Sequence, residues 1–188
     1  HTCATEVFFP RYTPPEKTYC NLMHASGEAF ADNEGDGDMP RTYSELYISV
    51  RNRLRDAGIE AAELEGKLIV ATAAGKTTEK LLRDMRFYAT DEVERRTESM
   101  LGRRLAGEPV AYITGVWEFR GLPMEVNPSV LIPRVDTEVL AETAIRWLHG
   151  RKMDARVLDL CSGSGCIGCA IADALPQARV VLADVSPE

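Results

Sequence analysis

Arg156-Val157-Leu158-Asp159-Leu160-Cys161-Ser162-Gly163-Ser164-Gly165-Cys166-Ile167-Gly168 is the stretch whose reading decides the fold of this chain. Val157, Leu158 and Leu160 make a short apolar run of the kind expected for a strand buried on both faces. After the small-residue loop, Ile167, Ala170, Ile171, Ala174 and Leu175 recur at helical spacing, and Pro176 closes the pattern. Val180-Val181-Leu182 then starts a second strand that stops at Asp184. Strand, glycine loop, helix and strand with an acid at its tip make a nucleotide-binding βαβ unit.

A helix start carries free N–H groups and partial positive charge, so it attracts an anionic group. Glycines let the backbone approach a ligand closely. A carboxylate at the second strand end accepts both hydroxyls of a ribose, which points to an adenosine-bearing ligand. Gly163-x-Gly165-x-x-Gly168 matches the dinucleotide fingerprint, with Asp184 about 20 residues on. The fit to the strand is poor, because Leu160, Cys161 and Ser162 separate Asp159 from the first glycine. An acid closing the strand, followed by x-small-x-Gly-x-Gly, resembles motif I of class I S-adenosylmethionine (SAM) methyltransferases, and SAM is the preferred cofactor. Cys161, Cys166 and Cys169 have part of a plant-type iron–sulfur spacing, but no fourth cysteine follows. Cys166 and Cys169 fall in the first turns of the helix, where small apolar residues are wanted, and free cysteine behaves as a small buried hydrophobe.

The chain of 188 residues has a net charge of −7. Residues 1–40 carry 2 basic and 7 acidic side chains, and only 41–107, with 13 and 11, is mildly basic. A duplex-binding protein would show more positive charge, so nucleic acid is not the expected partner. No apolar run reaches about 18 residues, no secretory signal is visible and the five cysteines form no disulfide framework. A cytoplasmic protein with no membrane partner is expected.

Four segments are expected. Residues 1–40 form an unassigned, flexible extension, with prolines at 10, 14 and 15 and an acidic, Gly-rich linker at 31–38. That linker resembles a calcium loop without its closing acid. His1, Cys3, Cys20 and His24 match no standard zinc spacing, so no metal site is expected. Residues 41–107 form a helical bundle, read as core packing or as a substrate-docking domain. Thr42-Tyr43-Ser44-Glu45 is a capping box, and Leu46, Val50 and Leu54 are its helix's apolar stripe. A second helix over about 60–74 is expected to bury Leu64, Leu68, Ile69 and Thr72. A short one starts at Thr78. A fourth, capped by Thr90, turns Val93, Thr97, Leu101 and Leu105 inward. Residues 108–135 are a linker with a β-hairpin turning near Arg120-Gly121. Residues 136–188 begin with a helix expected to bury Leu140, Ala144, Trp147 and Leu148, and run through the βαβ unit.

Several stretches together resemble the HemK/PrmC family. They are Glu108-Pro109-Val110-Ala111-Tyr112-Ile113-Thr114-Gly115, Phe119 before Gly121-Leu122, Val130-Leu131-Ile132-Pro133-Arg134-x-Asp136-Thr137-Glu138, and Asp159 to Gly165. The resemblance covers about 42–187. It implies an α/β fold: a small N-terminal helical bundle, a hairpin linker and a class I, Rossmann-like SAM methyltransferase domain. It also implies methylation of the glutamine amide in the Gly-Gly-Gln motif of class I peptide-chain release factors. Carried over by position, Cys161, Ser162, Gly163, Ser164 and Gly165 form the cofactor loop, Asp184 is the ribose acid, and Asp159 supports the loop near the methionine end. For Arg134 and Asp136, helix capping and a surface ion pair are preferred to a ligand role. The family's catalytic Asn-Pro-Pro-Tyr occurs nowhere in 1–188. The chain is therefore expected to be the front portion of a longer enzyme, truncated after the second strand, with no catalytic residues of its own and no activity alone. An adenine-N6 nucleic-acid methyltransferase and a non-catalytic binding fragment are the alternatives.

Overall fold

The computed structural model describes residues 3–6, 40–150 and 154–186, with no side-chain detail for 3–6. The acidic linker at 31–38 and the His1, Cys20 and His24 positions lie outside the described residues. By backbone contacts the chain divides into Pro15–Ile113 and a second unit of His1–Pro14 with Thr114–Glu188.

In the first unit, helix α1 (Tyr43–Asp56) starts where the sequence places it. The Thr42 hydroxyl accepts the Glu45 N–H at 3.3 Å, and the Glu45 carboxylate accepts the Thr42 N–H at 2.8 Å. Two donors of the helix start are thereby satisfied, and the Tyr43 and Ser44 N–H groups donate to the Phe87 and Met85 carbonyls. Leu46, Val50 and Leu54 are fully buried. Helix α2 (Ala62–Ala73) buries Ile69 as expected and half-buries Leu68 and Thr72, but its inward face is shifted toward Glu65 and Gly66. Leu64 is 53% exposed, while Ala62, Glu65, Gly66, Ile69, Val70, Ala71 and Ala73 are buried. The cause is close approach to α1. A Cβ on Gly66 would sit 3.3 Å from the Tyr47 ring and 3.6 Å from the Arg51 Cα. A glycine at that crossing rotates the helix relative to its apolar count. The short helix α3 (Thr78–Arg83) is capped by the Thr77 hydroxyl. Helix α4 (Asp91–Leu105) buries Thr97, Met100 and Leu101, but Leu105 stays 39% exposed. Arg104 of α4 and Glu65 of α2 form a two-pronged ion pair, at 2.6 and 3.2 Å. Helix α5 (Val110–Thr114) follows.

The second unit holds two sheets. Strands β2 (Val116–Phe119) and β3 (Leu122–Glu125) make the expected hairpin, with Phe119 opposite Leu122. Arg120 and Gly121 turn it with φ of 51 and 79°, the positive pair that a two-residue type I′ turn requires. Helix α6 (Val135–His149) buries Ala141 alone among its residues. Leu140 and Trp147, expected inside, are 57% and 56% exposed. A small residue marks the contact face here too, because α6 lies against α7 (Cys166–Ala174) at Ala141. Strands β4 (Arg156–Leu160) and β5 (Arg179–Asp184) are parallel, with Leu158 opposite Val181 and Leu160 opposite Ala183. The segment β1 (Cys3–Glu6), within the extension to which the sequence assigned no element, lies antiparallel on the other edge of β5, with Cys3 opposite Asp184. The sheet order is β1-β5-β4.

One expectation about β4 fails. Leu158 and Leu160 are 62% and 67% exposed, so the strand is not buried on both faces. Helix α7 packs beside Val180 and Leu182, and no described element lies over the face that carries Leu158 and Leu160. Among the described residues no helix is long and apolar enough to cross a membrane.

Candidate functional site

The candidate site is the loop from Cys161 to Gly165, held between the ends of β4 and β5 and the start of α7. Its path is set by alternating left-handed residues: Cys161 at φ 59°, Gly163 at 53° and Gly165 at 73°. Cysteine in that conformation costs on the order of 1 kcal/mol, since its Cβ crowds the following carbonyl. Neighbouring bonds hold the turn. Ser162 N–H donates to the Ala183 carbonyl at 3.2 Å, and Gly165 N–H donates to the Ser162 carbonyl at 2.8 Å.

Two carboxylates frame the loop. Asp159, half-buried in β4, accepts the Gly168 N–H at 2.9 Å through Oδ2. Gly168 stands in the first turn of α7, so this carboxylate satisfies one of the helix's orphan donors. Burial pushes the Asp159 carboxyl above the ordinary range. The Gly168 bond opposes that rise, and the nearby Asp184 charge adds to it. Asp184 ends β5, with Oδ1 accepting the Ser186 N–H at 3.0 Å and Oδ2 accepting the Gly163 N–H at 2.8 Å. Those backbone donors hold its carboxyl below the ordinary range, so it is ionised at neutral pH. A carboxylate has about four acceptor positions, so Asp184 keeps acceptor capacity beside its backbone bonds.

The glycines divide by role. A Cβ on Gly163 would meet nothing within 4 Å, so that position faces open space. A Cβ on Gly168 would overlap the Leu182 side chain and come within 3.1 Å of Asp159 Oδ2. Gly168 is therefore a packing residue that lets α7 lie on β5. Its place in the dinucleotide-like spacing needs no phosphate to explain it.

The remaining sequence candidates scatter. Cys161 is exposed, Cys166 buried and Cys169 intermediate, and burial raises the thiol pKa of the last two. Among the described residues no group of three or more His, Cys, Asp or Glu side chains is placed to hold a metal ion. Arg134 takes the N-cap position of α6 through its backbone, but its side chain makes no capping bond. Among the described residues it also makes no ion pair with Asp136. The residue that does form a specific bond in that stretch is Glu138, whose Oε1 accepts the Arg120 N–H at 2.9 Å. The sequence offered its motif but not its partner, which lies 18 positions away on the hairpin.

Comparison with known proteins sharpens this. The family described as the PrmC N-terminal domain matches residues 45–115. A release factor glutamine methyltransferase of Bordetella pertussis is 42% identical over 141 residues, covering 73% of this chain and 50% of the relative. One from Geobacter sulfurreducens is 40% identical over 137 residues, covering 73% and 47%. The Escherichia coli K12 protein of the same name is 35% identical over 129 residues, covering 69% and 46%. This chain belongs to the HemK/PrmC family. It spans about half the length of the curated HemK/PrmC relatives it matches. The helical unit thus carries the family's N-terminal domain, and the α/β order of elements fits that family.

Proposed function

We propose that the chain is the front portion of a protein-glutamine methyltransferase. It would supply one wall of a SAM site in a class I, Rossmann-like domain and act on the Gly-Gly-Gln glutamine of class I peptide-chain release factors. The observation that carries the cofactor reading is the Asp159 carboxylate at the start of α7, 2.9 Å from the Gly168 nitrogen. A dinucleotide places its pyrophosphate at such a helix start, and here the chain's own carboxylate holds that position. With Asp184 beside it, the site is negative on two sides. That charge suits a ligand with a sulfonium and an ammonium better than one with phosphates.

In this reading the Gly163 turn leaves space for the ligand, and Asp184 takes the ribose hydroxyls in charge-assisted bonds. Asp159 keeps the loop on α7. Cys161, Ser162, Ser164 and Gly165 shape the backbone around the methionine end. SAM supplies the methyl group when bound. The helical unit would dock the protein substrate. The relatives' names support the substrate, since they are release factor glutamine methyltransferases.

Calorimetric titration of the whole protein tests this. SAM is expected to bind, NAD is expected not to compete, and Asp184→Ala is expected to weaken SAM by about 1.5–3 kcal/mol. Label from methyl-labelled SAM should then reach the Gly-Gly-Gln glutamine of a purified class I release factor. Tight NAD binding, or unchanged SAM affinity in Asp184→Ala, would remove the reading.

A further inference from the structure

Glu138 belongs to the Arg134-x-Asp136-Thr137-Glu138 stretch, yet nothing in the proposed reaction uses it. Its carboxylate reaches the hairpin tip and accepts the Arg120 N–H at 2.9 Å. One turn further along α6, Glu142 Oε2 stands 3.9 Å from the Arg120 guanidinium. Arg120 has φ 51°, a left-handed conformation that a non-glycine residue keeps only where its surroundings hold it. Immediately before it, Phe119 is 1% exposed and forms one cluster with Met124, Ala141, Cys166 and Ala170. Cys166 is the first residue of α7, and Gly165, the last residue of the loop, is its N-cap. A continuous run of contacts therefore leads from the α6 carboxylate, through the hairpin turn and Phe119, to the first turn of α7 and the loop.

We propose that Glu138 is a positioning residue for the glycine loop. By fixing the Arg120 turn on α6 it seats Phe119 in the cluster that holds Cys166, and so sets where α7 begins and where Gly163 and Gly168 present their N–H groups. The meaning of this for methyl transfer rests on the SAM role proposed for that loop. A bland account is available for an acid in a first helical turn, because the helix dipole favours any negative charge there. That account applies equally to Asp136, which shares the turn but makes no bond to the hairpin among the described residues. It does not explain a bond to a backbone N–H 18 positions away.

The two accounts separate in amide hydrogen exchange, read at Gly163, Gly165 and Gly168 in the 188-residue chain, with melting temperature measured alongside. Glu138→Ala is expected to speed exchange at these amides by about tenfold, the effect of losing one hydrogen bond to a charged acceptor. Glu138→Gln keeps an acceptor oxygen and is expected to stay within about twofold of the parent. Asp136→Ala is expected to do the same. Phe119→Leu, which trims the packed ring without touching the carboxylate, should reproduce the faster exchange. Unchanged loop exchange in Glu138→Ala, or equal acceleration in Asp136→Ala, would overturn the proposal. Exchange needs no ligand, so a failure of SAM to bind would remove the proposed function without deciding this one.

Discussion

Asp159 and Asp184 respond to acid in opposite directions around one loop. Burial raises the Asp159 carboxyl, so its folded form takes up a proton more readily than its unfolded form. Its contribution therefore costs stability above the raised value and becomes favourable as pH falls toward the ordinary carboxylate range. Asp184 is lowered, so its contribution is present above the ordinary range and is lost as pH falls through the lowered value. Asp159→Asn removes the first effect and keeps an acceptor for the Gly168 N–H. Relative to the parent, this variant should do best near pH 7 and lose ground as pH falls into the carboxylate range. Urea unfolding of both proteins at several pH values between 7 and 4 measures the difference. A relative gain for the variant on acidification would contradict the burial argument.

At the level of elements, the helical unit makes its own prediction. Glu65 and Arg104 meet in two hydrogen bonds with side chains only 11% and 19% exposed, so removing one partner leaves a largely desolvated charge. In the piece 41–113, Glu65→Ala should lower unfolding stability by roughly 3 kcal/mol. A loss below about 1 kcal/mol in denaturant titration would mean that the pair is effectively solvated. The elements also show what a sequence can display. Thr42 with Glu45, Thr90, and the Arg120-Gly121 turn were legible because each depends on residues within one turn. The inward faces of α2 and α6 were legible only in part, with Ile69 as the one fully buried residue read correctly. Their contacts centre on Gly66 and Ala141, residues too small to register in an apolar periodicity. The loop residues and both acids could be located from spacing. The Asp159 bond to Gly168, the Asp184 bond to Gly163 and the Glu138 bond to Arg120 depend on the folded chain and could not be read from spacing.

For the molecule as a whole, the exposed apolar side chains set behaviour in solution. Leu158 and Leu160 share one uncovered face of β4, and α6 carries Val135, Val139, Leu140 and Trp147, all more than half exposed. Apolar side chains exposed on these surfaces favour association. The 188-residue chain should bind a hydrophobic dye and sediment with a concentration-dependent mass. Replacing both Leu158 and Leu160 by Ser should reduce both effects. Sedimentation at a single monomer mass across the concentration range would show that these side chains are covered in solution.

In the function proposed above, the bond between Asp159 and Gly168 would also bear on what the loop turns away. A phosphate settling at the start of α7 would lie near that carboxylate. Two unit charges 4 Å apart at an effective dielectric of 20 repel by about 4 kcal/mol, roughly a thousandfold in occupancy. A millimolar nucleotide would then compete there no better than a micromolar one that met no such charge. Rejection of this kind would precede recognition of any base or sugar, and it would need only an acid that the helix start already uses.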